Sequence, residues 1–201
     1  MKYRDEYHMM NDKNEAIDPV VTYYIQGKSY PMASRDEMLD QVVALKKRFI
    51  KYLDYADATI YDLFPKKQVQ QALTLQCEEL GTGILYNQGN LNFTFKPLPL
   101  QAQFSKTFGI TFGDYNNDGI SDIFLAGNFF PYRVQLGRAD AGMGVLLTGD
   151  GKGEFKPVDP QESGCYADGD IRRVVEIKTN AGERLLIMAK NNDKMQVLKV
   201  K

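Results

Sequence analysis

The sequence predicts a mainly β fold with a helical insertion, and three observations carry that expectation. Beyond residue 72, short β-like runs alternate with Gly, Asn and Asp. Between Ser34 and Leu53, apolar residues recur at three-and-four spacing. Part of the β region also repeats, Gly83 recurring as Gly144 at an offset of 61 residues.

Before the helical stretch, Val20 to Ile25 and Lys28 to Tyr30 flank Gln26-Gly27 and predict a small hairpin behind a polar leader. From Ser34 onward, Met38, Leu39, Val42, Val43, Leu45, Phe49, Ile50 and Leu53 form the stripe of one amphipathic helix. Ser34 with Glu37 is a capping-box signature, and Lys46, Lys47, Arg48 and Lys51 lie toward the far end, where they complement the helix dipole. These cations interleave with apolar residues at helical spacing, which makes them a solvated helix face rather than an anion site. A second short helix is expected after Asp57 through Ile60, Leu63 and Phe64, with Pro65 ending it or opening a further turn around Lys66 to Gln71.

Ten strands follow in the expected order Leu73–Glu79, Gly83–Asn87, Asn92–Leu98, Phe108–Phe112, Asp122–Gly127, Gly144–Thr148, Glu154–Val158, Val174–Lys178, Leu185–Ala189 and Met195–Val200. With no long helical pattern between them, they imply antiparallel sheet built from hairpins. The stretch from Gly83 to Phe93 recurs from Gly144 to Phe155, one residue longer, and each copy continues into a Lys-Pro pair, Lys96-Pro97 and Lys156-Pro157. A unit of ~60 residues with four strands is the size of a β-propeller blade. The expected organisation is a leader and hairpin over 1–32, a helical insertion over 33–71, and about three four-stranded antiparallel blades of a partial β-propeller over 72–201. That is too few to close a ring of four to eight blades, so outer strands are expected to pair with missing segments or with another copy.

Composition narrows the chemistry. The 201 residues hold 25 Lys plus Arg against 26 Asp plus Glu, a formal net charge of -1. That balance excludes nucleic-acid binding through bulk positive charge. No run approaches the ~20 apolar residues of a membrane-spanning helix, and the stretch Met1 to Asp18 is charged, so neither a span nor a signal peptide is expected. The one histidine, His8, makes His-cluster metal sites and Ser-His or Cys-His catalysis improbable. Cys77 and Cys165 allow one disulfide at most, and two separate thiols are the expectation.

Asp114-Tyr115-Asn116-Asn117-Asp118-Gly119-Ile120-Ser121-Asp122 is the most informative stretch. Side-chain oxygens fall at loop positions one, three, five and nine, with Gly119 at six and the Ile120 carbonyl as a further ligand. An all-oxygen donor set of Asp114, Asn116, Asp118, Ile120 and Asp122 favours Ca²⁺ over zinc or copper. An EF-hand would require Glu at position twelve, where Leu125 stands in a strand-like run. The competing reading is an Asx-rich turn with no ion; four donors at these offsets plus the glycine favour the ion. At an offset of 63 residues the ligand positions become Ile177, Thr179, Ala181 and Leu185, so that hairpin keeps Gly182 and is expected to bind no metal.

Asp150-Gly151-Lys152-Gly153 and Asp168-Gly169-Asp170 are expected to be turns. The connection from Phe129 to Met143 is longer than a hairpin needs, and Tyr132, Arg133, Arg138 and Asp140 within it are candidate binding residues, with local packing the more frequent explanation.

Phe108-Gly109, the Asp114 to Asp122 loop and Ile123-Phe124-Leu125-Ala126-Gly127-Asn128 resemble the FG-GAP/VCBS repeats of integrin-like β-propellers. With the helical stretch Ala33 to Phe64 in front, the chain is similar, from about Asp18 onward, to the C-terminal part of large ASPIC/UnbV-type VCBS-repeat proteins of Bacteroidetes. Ala126-Gly127-Asn128 stands where the name-giving Gly-Ala-Pro would be. The resemblance implies Ca²⁺ in the aspartate loop, bound by Asp114, Asn116, Asp118, Ile120 and Asp122, and a place in the cell envelope or outside the cell. The function it implies is non-catalytic: adhesion, scaffolding, or binding of a glycan or protein ligand. The alternative is part of a carbohydrate-active enzyme, a polysaccharide lyase or hydrolase, with a structural calcium. That chemistry needs a paired acid and base in a cleft.

Overall fold

The computed structural model describes residues 5–10, 18–134 and 136–200, the first of these segments through its backbone. The fold is mainly β, and the chain divides into two compact units, Met1–Leu80 and Gly81–Lys201.

In the first unit, β1 (Asp5–Met10), β2 (Asp18–Ile25), β3 (Lys28–Pro31) and β4 (Leu73–Cys77) form one antiparallel sheet in the order β3-β2-β1-β4. The β2–β3 hairpin turns at Gln26 and Gly27, both at positive φ, as the sequence predicts. Two expectations are corrected here. The polar leader contains β1, because strand pairing runs through the backbone and a charged composition does not forbid it. The run at Leu73 pairs with β1 instead of joining the strand that begins at Gly83, so it belongs to no blade with Gly83–Asn87.

The single long helix is a further correction. The chain instead forms α1 (Arg35–Gln41), a 3₁₀ segment (Val43–Lys47) and α2 (Tyr52–Ala56). The capping box at Ser34 is present, the Ser34 amide donating to Glu37 at 2.8 Å. The helix stops because Val42 leaves helical geometry and the Arg35 guanidinium turns the later chain back, donating to the Phe49 and Ile50 carbonyls at 2.8 Å each. Ile50 and Leu53, read as part of the buried stripe, are 70% and 81% exposed. Then α3 (Ile60–Leu63) and α4 (Lys66–Gln71) flank Pro65 as expected. The core of this unit gathers Val20 with Met38, Leu39, Val42, Phe49, Ile60 and Phe64. Tyr55 lies edge-on to Phe49 and donates its hydroxyl to the Ala33 carbonyl at 2.9 Å; burial pushes its pKa up to about 12.

The second unit holds three sheets. Strands β5 (Gly83–Gly89) and β6 (Asn92–Pro97) form a hairpin. Strands β7 (Thr107–Gly113), β8 (Asp122–Gly127), β9 (Val145–Gly149) and β10 (Phe155–Pro157) form an up-and-down sheet in the order β10-β9-β8-β7. After α5 (Pro160–Ser163), β11 (Ile171–Lys178), β12 (Arg184–Lys190) and β13 (Gln196–Val200) form the third sheet. All ten strands expected beyond residue 72 are present.

Strand β8 shows how these sheets stack. Every residue of it is buried, although strand side chains alternate between faces. Ile123 and Leu125 pack with Leu147, Leu98 and Ala102, against which Ile84 of β5 rests. Phe124 and Ala126 point the other way, to Val174, Leu186 and Met188 of the third sheet. Gly109 lets that third sheet approach, since a Cβ there would lie 2.4 Å from a Val174 methyl. The middle sheet is thus covered on both faces, and its β7–β8 loop is held at one end of the stack. Cys77 and Cys165 are both free thiols.

Candidate metal centre

The β7 strand ends at Gly113, which pairs with Asp122 at the start of β8, so residues 114–121 must reverse the chain within one loop. Asn117 and Gly119 take positive φ values of 62° and 79°. No atom lies within 4 Å of a Cβ built on Gly119, so its left-handed backbone, not crowding, is what requires glycine.

The loop side chains turn onto the loop's own amides. Asp114 accepts from the Gly119 amide at 2.9 Å and the Asp118 amide at 3.2 Å. The same Asp118 amide donates to Asn116 Oδ1 at 3.1 Å, while Asn116 Nδ2 donates to Asp118 Oδ2 at 2.8 Å. Asp118 Oδ1 accepts from the Ile120 amide at 2.7 Å. Positions one, three and five therefore converge through shared partners. Amide donation, from Gly119 above all, holds the Asp114 carboxyl below the usual carboxylate range, so it is ionised at neutral pH.

Asp122 is set apart. It is fully buried, and its two oxygens accept from the Tyr115 amide at 2.9 Å and the Gly149 amide at 3.0 Å, tying the loop to the end of β9. The Ile120 side chain borders Gly149 and Gly151 in the adjacent turn. The donor set has the oxygen chemistry of a calcium site, and its first three side chains are close together. Among the described residues, however, no group of three or more His, Cys, Asp or Glu side chains is gathered closely enough to hold a metal ion.

A second lock comes from residues that sequence spacing does not single out. Arg184, at the start of β12, donates to the Asp114 carbonyl at 2.6 Å and forms a forked pair with Glu176 at 2.6 and 3.2 Å. Tyr115 donates its hydroxyl to the same Glu176 at 3.2 Å, and Arg184 lies 5.4 Å from the Tyr115 ring centre. The Arg184 hydrogen bond holds the Glu176 carboxyl low, and that pairing raises Arg184 in turn. Gly113 makes room, because a Cβ there would meet Arg184 Nη2 at 2.8 Å.

The candidate binding residues of the long connection are exposed, and among the described residues the structure gives them no shared partner. Tyr132 stands edge-on to Phe129, with centroids 5.6 Å apart, and Arg138 lies over Phe130 at 5.0 Å. The Arg133 carbonyl accepts from the Leu136 amide, and Asp140 lies on the surface beyond the Phe129–Ala139 bridge. Asn128, a residue sequence reading passed over, anchors this connection: it is 1% exposed, bonds Gly142 through both amide atoms, and reaches the Gly169 carbonyl. Its φ of 90°, directly after a strand and a glycine, is the signal such a role leaves.

Asp150-Gly151-Lys152-Gly153 is a tight turn, the Asp150 carboxylate accepting the Lys152 and Glu154 amides at 2.8 and 2.9 Å. Among the described residues no helix is long and apolar enough to cross a membrane. Compared with family models, curated proteins and solved structures, the chain matches none.

Proposed function

We propose that this chain is a non-catalytic, calcium-binding segment of a cell-envelope β-propeller of the FG-GAP/VCBS kind, serving adhesion, ligand binding or scaffolding. The observation that carries the reading is the Asp114 to Asp122 loop. Oxygen donors stand at alternating positions, a left-handed glycine follows, and a buried aspartate ties the loop base to β9. A four-stranded up-and-down sheet flanked on both faces by other sheets supports the propeller part, because blades stack in that way.

Asp114, Asn116 and Asp118 would hold the ion with the Ile120 carbonyl, and Asp122 would complete the set. A bound Ca²⁺ supplies positive charge where carboxylates meet. The chain's own part is to keep Asp114 ionised through the Gly119 amide and to keep the loop base fixed through Asp122 and Arg184. Strand β8 starts at Asp122, so an ordered loop orders the strand buried on both faces.

Calorimetric titration of Ca²⁺ into chelator-treated protein tests the reading. Saturable uptake with a rise in melting temperature, both lost in Asp118→Ala, is the expected result. Heat no greater than dilution and an unchanged melting temperature would refute it.

A further inference from the structure

The basic stretch near the end of the expected long helix changes character once the chain is folded. Sequence spacing makes Lys46, Lys47, Arg48 and Lys51 a solvated helix face because the apolar residues between them are expected to be buried. Only part of that burial occurs. Leu45 and Phe49 enter the core of the first unit, whereas Ile50, Tyr52 and Leu53 are 66% to 81% exposed. Val43 to Leu53 therefore combines four cations, no carboxylate and a run of large exposed apolar and aromatic side chains.

Hydrogen bonds hold these side chains out. The Arg48 and Phe49 amides both donate to the Leu45 carbonyl at 3.0 Å, closing the turn that carries the cations. Arg35, already bound to the Phe49 and Ile50 carbonyls, lies 4.8 Å from the Tyr52 ring centre, and Tyr52 donates its hydroxyl to Asp36 at 2.6 Å. Ile50 and Leu53 thus project from a braced corner between the 3₁₀ segment and α2. The carboxylates of the neighbouring helices are engaged: Asp36 with Arg35 and Tyr52, Asp40 with Lys46 at 3.5 Å, Asp54 with the Lys51 amide and Asp62 with the Thr59 amide. Among the described residues Lys47, Arg48 and Lys51 have no ion-pair partner; Arg48 lies over the Phe49 ring at 5.4 Å.

We infer that this corner is a peripheral contact for an anionic lipid surface. Lys46, Lys47, Arg48 and Lys51 meet headgroup phosphates, and Ile50 and Leu53 enter the boundary between headgroups and acyl chains. The net charge of the whole chain is -1, so attraction to such a surface has to come from a local patch. Lys and Arg stems lie along apolar surface while their heads reach phosphate, and tyrosine suits the same interface. Charge complementarity alone would also admit an acidic protein, but protein interfaces are depleted in lysine, and three of these four cations are lysine. A protein would also need a shaped recess for each projecting side chain, whereas a fluid bilayer surface accepts protruding apolar tips and long cationic side chains together. The contact needs no spanning segment and makes no use of the aspartate loop ligands.

The test is flotation of the whole protein with lipid vesicles in the presence of a calcium chelator, which separates its outcome from that of the metal reading. Vesicles of phosphatidylcholine and phosphatidylglycerol in equal parts should carry the protein up the gradient at low salt, and vesicles of phosphatidylcholine alone should leave it behind. Combining Lys47→Gln, Arg48→Gln and Lys51→Gln should weaken binding roughly tenfold or more. Ile50→Ser with Leu53→Ser should weaken it by about the same factor while leaving the charge unchanged. The chain has no tryptophan, so Leu53→Trp supplies an emission that should shift to the blue on the mixed vesicles only. The inference is overturned by no binding to the mixed vesicles, by equal binding to both kinds, by binding indifferent to the serine pair, or by an unshifted emission from bound Leu53→Trp protein. Binding to polyglutamate or single-stranded DNA with none to vesicles would also overturn it, by assigning the corner to an acidic polypeptide or a nucleic acid.

Discussion

The β7–β8 and β11–β12 hairpins solve one problem in two ways. Both turn antiparallel strands in stacked sheets, and both carry a glycine at positive φ, Gly119 at 79° and Gly182 at 82°. The first loop is long and closes through carboxylate and amide side chains on its own backbone. The second is short and closes through Thr179, whose backbone pairs with Glu183 and Gly182 and whose hydroxyl accepts from the Glu183 amide at 3.1 Å. Where β8 begins with the buried Asp122, β12 begins with Arg184, which leans back across the sheets onto Asp114. The second turn is closed by local backbone bonds and one hydroxyl, with no carboxylate, so the acidic oxygens of the first hairpin exceed what turning requires. That excess is the physical argument for a cation.

The largest break in this comparison should come from Asp122→Ala. It strands the amides of Tyr115 and Gly149 at a buried position, and denaturant unfolding should show a loss of roughly 3 kcal/mol. The counterpart Leu185→Ala removes half-buried apolar surface and should cost roughly 1 kcal/mol. Equal losses would mean that the Asp122 bonds are not what fixes the loop.

Arg184→Ala should come next, at about 1–2 kcal/mol, because the pair with Glu176 is partly screened by solvent while the bond to Asp114 is lost outright. Amide exchange should quicken at Asp118 and Gly119 as well as in β12. Quickening confined to β12 would show that the two hairpins are not coupled.

Gly119→Ala and Gly182→Ala should each cost about 1 kcal/mol, since neither site is crowded and both carry the same left-handed backbone. Urea midpoints for the two variants should therefore agree. A much larger loss at Gly119 would place a steric demand on the loop that these distances do not contain.

The smallest effect is the pH response, and within the two turns it is carried by the carboxylate of the first. Asp114 has a folded pKa below its unfolded value, so its contribution is present above about pH 4 and is lost as pH falls through the lower folded value. Glu176 adds to this in the same direction. The Thr179 hydroxyl does not titrate. Measured against the intrinsic exchange rate at each pH, protection at Gly119 should therefore fall on acidification below about pH 4 before protection at Gly182 does; simultaneous loss of protection would contradict the assignment.

Much of the β unit was legible in the sequence because its strands are short apolar, β-like runs punctuated by Gly, Asn and Asp. The long helix was not. Its three-and-four spacing is real, but Ile50 and Leu53 end up exposed once Arg35 ties the chain back at Phe49 and Ile50. Strand β1 was hidden because backbone pairing leaves little trace in a charged stretch. At the loop, the donor spacing and Gly119 were readable, being local. The partners that give the loop its rigidity, Gly149 for Asp122 and Arg184 for Asp114, come from distant strands and leave no spacing signal.

The most direct measurement is a Ca²⁺ titration of the isotope-labelled protein followed at individual backbone amides. The account requires saturable shifts confined to Asp114 through Asp122 and the adjoining Gly149, with Thr179 to Glu183 unmoved. Shifts in both hairpins alike, or in neither, would contradict it.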